Sequence, residues 1–462
     1  MRKMLGSTMP GGLLAFFFLS LTVAQGTAGE AGHAAVTPVD RKDDRWVQRY
    51  RNQTAILDRG NINLLMIGDS ITHGWETAGK TVWDSYYAHR KALNLGISGD
   101  RTQHVLWRLD NMQLDRLSPK VAVIMIGTNN IGQQSPETPK ETADGVKAIV
   151  ERLEKQYPDM KQLVLKVFPR DEKPDGEKRK LVDELNSYLP DLLKDKPNVT
   201  LLDLNAAFLT ADGTLTDEVM KDKLHPGTYG YELWAKAMEP TLVQLLAEKN
   251  PATEPADKMA EEWWKNRHNA NIERMNQGDI GFLMIGDSIT HGWDGQKPLV
   301  DKFFGEFKPI NLGFGGDQTQ HVLGRLDKLP LDKIQPKAAM VMIGTNNVHN
   351  RANTPWMIAD GIRAIVERLH KAYPELKIVV LHVFPRSEKK DDPLRHRVEE
   401  INLCLPSLLK DRPNVTLVDI NDVFLTEDGT LPKEIMSDFV HPGTKGYELW
   451  GEKLAPIIKE RF

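Results

Sequence analysis

Ser70, Gly99, Asn129 and the pair Asp222 with His225 recur in the same order as Ser288, Gly316, Asn346 and Asp438 with His441. The block Ile67 to Trp75 returns letter for letter at 285–293, and Ile-Gly-Thr-Asn-Asn stands at 126–130 and again at 343–347. A serine just after a buried strand, at a helix start, lies beside free backbone N–H groups that can stabilise a developing oxyanion. Each glycine permits a positive φ and a close backbone approach, so its N–H is a second candidate donor. An asparagine amide is a neutral, directional donor, suited to an oxygen that gains charge only during reaction. The histidine can take a serine proton and return it to a leaving group, while the aspartate three residues earlier holds the imidazole tautomer. Singly, each block has a plainer reading: a helix cap, a tight turn, an asparagine bonded to its own backbone, a structural histidine before proline. Together they are stronger. The Gly-to-Asn spacing is 30 residues in both copies, and the copies stand 216 to 218 residues apart. A steady offset marks a duplicated unit of about two hundred residues. The set is that of a serine hydrolase with two sites.

Those residues need a frame that holds them at one edge. Short apolar runs at 64–67, 92–95, 121–126, 163–167 and 199–202 alternate with helical patterns such as 102–109 and 142–156. Continuous apolar strands between helices predict a parallel sheet covered on both faces. Each copy is therefore expected to be a doubly wound, flavodoxin-like α/β domain of three layers with about five strands. The blocks then fall just after strand ends, where such sheets place their sites. The first helix is expected over 43–58 and its counterpart over 258–275. The domains are read as 41–249 and 256–462, joined by a stiff linker with Pro251 and Pro255 and preceded by a flexible lead-in at 30–40. Pro226 biases His225 toward an extended backbone, and Thr228 is expected to cap the closing helix.

On these blocks the chain resembles two tandem SGNH, or GDSL-type, hydrolase domains. The segment Thr102-Gln103-His104-Val105-Leu106-Trp107-Arg108-Leu109 is especially similar to the catalytic subunits of the intracellular platelet-activating-factor acetylhydrolases. Ile-Thr-His-Gly-Trp after the serine is more like bacterial carbohydrate acetylesterases of the same superfamily. The resemblance implies a serine nucleophile at Ser70 and at Ser288. It implies an oxyanion hole from the serine amide, the amide of Gly99 or Gly316, and the side chain of Asn129 or Asn346. Asp222 with His225, and Asp438 with His441, complete the two sites.

At the N-terminus Arg2 and Lys3 precede a 12-residue apolar run from Leu13 to Ala24 and then small residues, the pattern of a cleaved export signal over 1–29. As a helix that run rises only about 18 Å, short of a ~30 Å hydrocarbon core. The mature chain is thus expected to be periplasmic or extracellular, with no integral membrane segment. A net charge of −4 gives no global pull toward nucleic acid. Cys404 is the only cysteine, so no intrachain disulfide is possible, and it reads as a small buried hydrophobe. No histidine or cysteine cluster has metal-ligand spacing, so neither metal nor cofactor is implied.

Other residues have bland readings. His73, His291, His104 and His321 are read as packed, structural histidines. Arg170 and Arg386, at strand ends on the same edge, could contact substrate or pair with a nearby carboxylate. The copies differ beside the blocks: Ser98 against Gly315, Arg101 against Gln318, Trp107 against Gly324 and Gly132 against His349. The expected reaction is hydrolysis of a short acyl ester, acetyl foremost, on a carbohydrate. A lipid acyl ester, or one copy serving only as a binding module, are the alternatives.

Overall fold

A computed structural model describes residues 32–57, 60–132 and 137–461. The expected export signal lies outside the described residues.

The first half contains β1 (Leu64–Gly68), β2 (Ala92–Gly96), β3 (Val121–Met125), β4 (Lys161–Leu165) and β5 (Val199–Leu202). Its helices are α1 (Asp44–Leu57), α2 (Ser70–His73), α3 (Lys80–Tyr86), α4 (Thr102–Asn111), α5 (Pro139–Gln156), α6 (Glu177–Leu193), α7 (Asn205–Phe208) and α8 (Thr228–Leu245). The second half repeats this with β6 (Phe282–Gly286), β7 (Pro309–Gly313), β8 (Ala338–Met342), β9 (Lys377–Leu381) and β10 (Val415–Val418). Its helices are α9 (Glu262–Asn276), α10 (Ser288–His291), α11 (Lys297–Phe304), α12 (Thr319–Leu326), α13 (Pro355–Ala372), α14 (Pro393–Leu409) and α15 (Thr444–Lys459). Both sheets are five-stranded and parallel, ordered β2-β1-β3-β4-β5 and, read from the other edge, β10-β9-β8-β6-β7. The expected doubly wound architecture is present twice.

Alternate residues of each strand enter opposite cores, as a strand's period of two requires. Leu65 and Ile67 pack with α4, α5 and α6, whereas Leu64 and Met66 face Trp75, Trp234 and the helices α3 and α8. Leu283 and Ile285 against Phe282 and Met284 repeat the division. The register that matters for the site is Gly68 beside Gly96 on one side and Met125 on the other. The ends of β2, β1 and β3 therefore lie together, at the point where strand order reverses.

The lead-in differs from expectation. Residues Ala34–Val36 form a 3-10 turn with Ala35 fully buried. The Thr102 hydroxyl donates to the Ala35 carbonyl at 2.8 Å. In the linker, Ala252 is equally buried and accepts from Thr319 at 2.8 Å. Both carbonyls lie over a helical glycine: a Cβ on Gly145 would come within 2.8 Å of Ala35 O, and one on Gly361 within 2.7 Å of Ala252 O. The repeat thus reaches back to Ala35-x-x-Pro38-x-Asp40 and Ala252-x-x-Pro255-x-Asp257.

The halves are joined through α3 and α8 of the first and α13 and α14 of the second. Glu239, fully buried, accepts both Arg90 guanidinium nitrogens at 2.7 and 2.8 Å and the Thr354 hydroxyl at 2.8 Å. Arg90 also reaches Glu248 in the linker, and the Lys236 ammonium donates to the Leu403 carbonyl at 3.2 Å. Cys404 is buried as expected, 3.7 Å from the Tyr86 hydroxyl across the junction, and burial pushes its thiol up to about 12.

Removing one partner of a buried ion pair leaves an uncompensated charge, which costs about 3–5 kcal/mol. Arg90→Ala is therefore expected to destabilise the first half by about that amount, read as a lower urea midpoint. An unchanged midpoint would count against the buried pair.

Candidate active site

Asp69 follows β1 and caps α2, with its Oδ1 accepting the Ile71 N–H at 2.9 Å. This puts Ser70 at the first position of the helix. The closing helix α8 is locked to the same turn: the Tyr231 hydroxyl donates to Ile71 O at 2.7 Å, and Tyr447 does the same to Ile289. Gly74 is required by that contact, since a Cβ there would stand 2.0 Å from the Tyr231 oxygen, and Gly292 meets Tyr447 likewise. Trp75 packs against Tyr231 and Trp234 with ring centroids 4.5 and 4.8 Å away. The Gly-Trp of the first block thus packs under the closing helix.

His225 precedes α8. Its Nε2 lies 2.9 Å from Ser70 Oγ, and its Nδ1 lies 2.7 Å from Asp222 Oδ2. In the second half the same distances are 2.8 Å for Ser288 Oγ to His441 Nε2 and 2.7 Å for His441 Nδ1 to Asp438. Each aspartate also folds its own turn. Asp222 Oδ1 accepts the N–H groups of Leu224 and His225, and Asp438 Oδ1 those of Val440 and His441. The turns are strained, with Lys223 and Phe439 both at φ 58° in the left-handed region. Burial pulls Asp222 upward, but hydrogen bonds from the His225 ring and backbone outweigh it and hold the carboxyl below its ordinary range. Asp438 is held low by the same balance. Thr228 does not cap α8; it is the first helical residue, and its hydroxyl donates to Ala78 O at 3.0 Å.

Gly99 follows β2 with φ 79°, and Gly316 follows β7 with φ 69°. Asn129 follows β3, and one of its amide hydrogens goes to Asp100 O at 2.9 Å, leaving the other N–H for a ligand. Asn346 bonds Asp317 O at 2.9 Å. Sequence reasoning missed the group that fixes this turn. The Asp100 carboxylate is fully buried and accepts Arg108 Nε at 2.9 Å and Trp46 Nε1 at 2.7 Å. Arg108 reaches on to Gly68 O at 3.4 Å. Asp317, Arg325 and Trp264 form the same cluster at 2.8 and 2.9 Å. Its signal was present: all three residues recur in both copies.

His104 and His321 are structural, each accepting a backbone N–H at its helix start through Nδ1. Arg170 donates to the Thr128 hydroxyl at 2.8 Å. Arg386 donates to Thr345 and stands 3.1 Å from His349 Nε2. His73 and His291 are half-buried at the site's rim instead of enclosed by packing. His73 Nδ1 lies 3.0 Å from Ser98 Oγ.

A paired Ser–His–Asp line with an adjacent glycine turn and asparagine amide is the layout of an acyl-transfer site. The chain belongs to the GDSL-like lipase/acylhydrolase family, whose model matches residues 66–233 and 284–449. It is a carboxylic-ester hydrolase. One relative is platelet-activating factor acetylhydrolase IB subunit alpha2 of Gallus gallus, 36% identical over 206 residues, 45% of this chain and 87% of that protein. The alpha1 subunit of Homo sapiens is 34% identical over 228 residues, 48% of this chain and 95% of its own length. Among solved structures, a GDSL-like lipase from Bacteroides thetaiotaomicron is similar at 20% identity and a TM-score of 0.36, over 44% of this chain and 100% of that one. An acetylxylan esterase from Geobacillus stearothermophilus is similar at 18% identity and a TM-score of 0.33, over 40% of this chain and 95% of its own. Among the described residues no helix is long and apolar enough to cross a membrane.

The second carboxylate oxygen of Asp69, and of Asp287, is buried without a protein partner. Burial pushes both carboxyls up to about 7. A carboxyl whose folded pKa exceeds its unfolded value of about 3.9 contributes fully to stability below about pH 4 and loses that contribution as pH rises through about 7. The Asp69→Asn, Asp287→Asn double variant is therefore expected to gain on the parent between pH 4 and pH 8. Thermal midpoints across that range check it; parallel curves would refute it.

Proposed function

We propose that each half hydrolyses short acyl esters through an acyl-serine intermediate, with Ser70 and Ser288 as nucleophiles. The distances of 2.9 and 2.8 Å from serine Oγ to histidine Nε2 carry this reading. His225 or His441 accepts the hydroxyl proton as Oγ bonds to the ester carbonyl carbon. The negative oxygen then takes hydrogen bonds from the serine N–H, the Gly99 or Gly316 N–H and the Asn129 or Asn346 amide. Collapse breaks the bond to the alcohol oxygen, which leaves with the proton from the imidazole. Water repeats the sequence on the acyl carbon and frees the acid and the serine.

For the substrate we favour an acetyl ester of a carbohydrate, met outside the cell after export. Exposed His225 and His441 and, in the first half, a cleft with arginine, aspartate, histidine and serine side chains support a polar alcohol. A phospholipid acetyl ester is the second reading, favoured by the names of the relatives at 33–36% identity.

Labelling with a fluorophosphonate is expected to modify Ser70 and Ser288 both; a label on neither would end the proposal. Asn129→Ala in a Ser288→Ala background is expected to lower turnover of 4-nitrophenyl acetate by roughly 10²–10³, the loss found for one oxyanion donor. An unchanged rate would remove Asn129 from the oxyanion hole.

A further inference from the structure

The two copies agree at every residue of the Ser–His–Asp line and diverge at the rim. The divergence centres on the start of the first helix. Aligned on the paired indoles Trp46 and Trp264, which bond Asp100 and Asp317 alike, Arg45 of the first half corresponds to Trp263 of the second. Trp263 is 45% exposed, one of three large hydrophobic side chains so placed among the described residues. It is not loose. Its indole N–H donates to Glu261 at 3.0 Å, and its ring runs within 10° of parallel to His291, centroids 6.5 Å apart. The edge of the ring lies over Gly315, where a Cβ would stand 3.6 Å from the indole.

Two substitutions the sequence leaves unexplained are thereby linked. Gly315 is where the first half has Ser98, whose hydroxyl faces His73. With glycine there, the His291 ring runs parallel to the indole, and its Nε2 stands 3.6 Å from the Asp294 carboxylate. The first half presents there a cleft of about 740 Å³ in which Arg41, Arg45, Arg49, Asp43, His73 and Ser98 stand beside Trp46 and Ile97. Gly315 precedes the oxyanion glycine Gly316, and His291 ends the short helix begun by Ser288. The indole thus stands beside Gly315, next to Gly316, and beside His291, three residues beyond Ser288.

We infer that Trp263 is a specificity-determining residue of the second site, a flat platform for the apolar face of a sugar ring carrying the ester. An aromatic face is electron-rich, and a pyranose presents a sheet of slightly positive C–H bonds on one side. An indole already oriented by its bond to Glu261 loses less freedom on binding than an unpaired one. The first site, with Arg45 in its place, has no such platform. This inference rests on the reading of the second site as a carbohydrate esterase.

The test uses the full chain with Ser70→Ala, so that only Ser288 turns over. The readout is the ratio of kcat/KM for an acetylated xylo-oligosaccharide to kcat/KM for glycerol triacetate, which has no ring. Trp263→Ala is expected to lower this ratio about tenfold, chiefly through KM, the size of one aromatic contact. Trp263→Phe, which keeps a π face, is expected to restore most of it. If the oligosaccharide is hydrolysed and neither variant moves the ratio, the platform is refuted while the carbohydrate reading stands. If the Ser70→Ala protein hydrolyses glycerol triacetate but not the oligosaccharide, the carbohydrate reading of this site fails and the platform falls with it.

Discussion

The arrangement of each site hangs on one buried charge pair. Asp100 and Arg108 are both fully enclosed; Trp46 supplies a second donor to the carboxylate, and the Arg41 guanidinium stands 3.5 Å from it. A buried pair costs desolvation that its hydrogen bonds must offset, and here several of the partners are parts of the site itself, although Arg325 Nη1 in the second half has no protein partner. Arg108 reaches the last carbonyl of β1, directly before Asp69 and Ser70. The Asp100 carbonyl takes the Asn129 amide, and its own position follows Gly99. One ion pair thus ties together the three strand ends that carry the serine, the glycine and the asparagine. Its twin, Asp317 with Arg325 and Trp264, does so in the second half.

Much of the fold was legible because it rests on periodicity. Apolar runs marked β1, β2 and β3 to within a residue, since a strand buried on both faces must be continuous in hydrophobicity, and the run at 199–202 marked β5 although that edge strand is only half-buried. β4 ends at Leu165, two residues before its apolar run does, because Val167 leaves the ladder to donate to the Asn186 side chain. The order of the site residues was legible through duplication. What escaped was polar and long-range. Asp100 with Arg108, Glu239 with Arg90 and Thr354, and Tyr231 with Ile71 O each join residues whose pairing leaves no periodic trace. Only recurrence at the repeat offset could have flagged the first of these, and the second joins unlike surfaces and does not recur.

The junction explains why the copies are free to diverge at their rims. It uses the helical faces α3 and α8 against α13 and α14, while the sites open at strand ends. Residues such as Trp107, which packs tilted against Trp46 and Tyr50, and Gly324, where a Cβ would stand 2.0 Å from the Ala256 carbonyl oxygen, are local adjustments to how each lead-in crosses its domain. Neither touches the Ser–His–Asp line.

The buried alanines at 35 and 252 give the connecting peptide a double identity. Glu248, still pairing with Arg90, closes the first domain; four residues later Ala252 is already a plug seated in the second. There is no slack between them, so the tether behaves as a shared wall. Only three residues separate the two anchors, too short a run to let either unit turn on its own, so the tether acts beside the junction of α3 and α8 with α13 and α14 in fixing how the two clefts face.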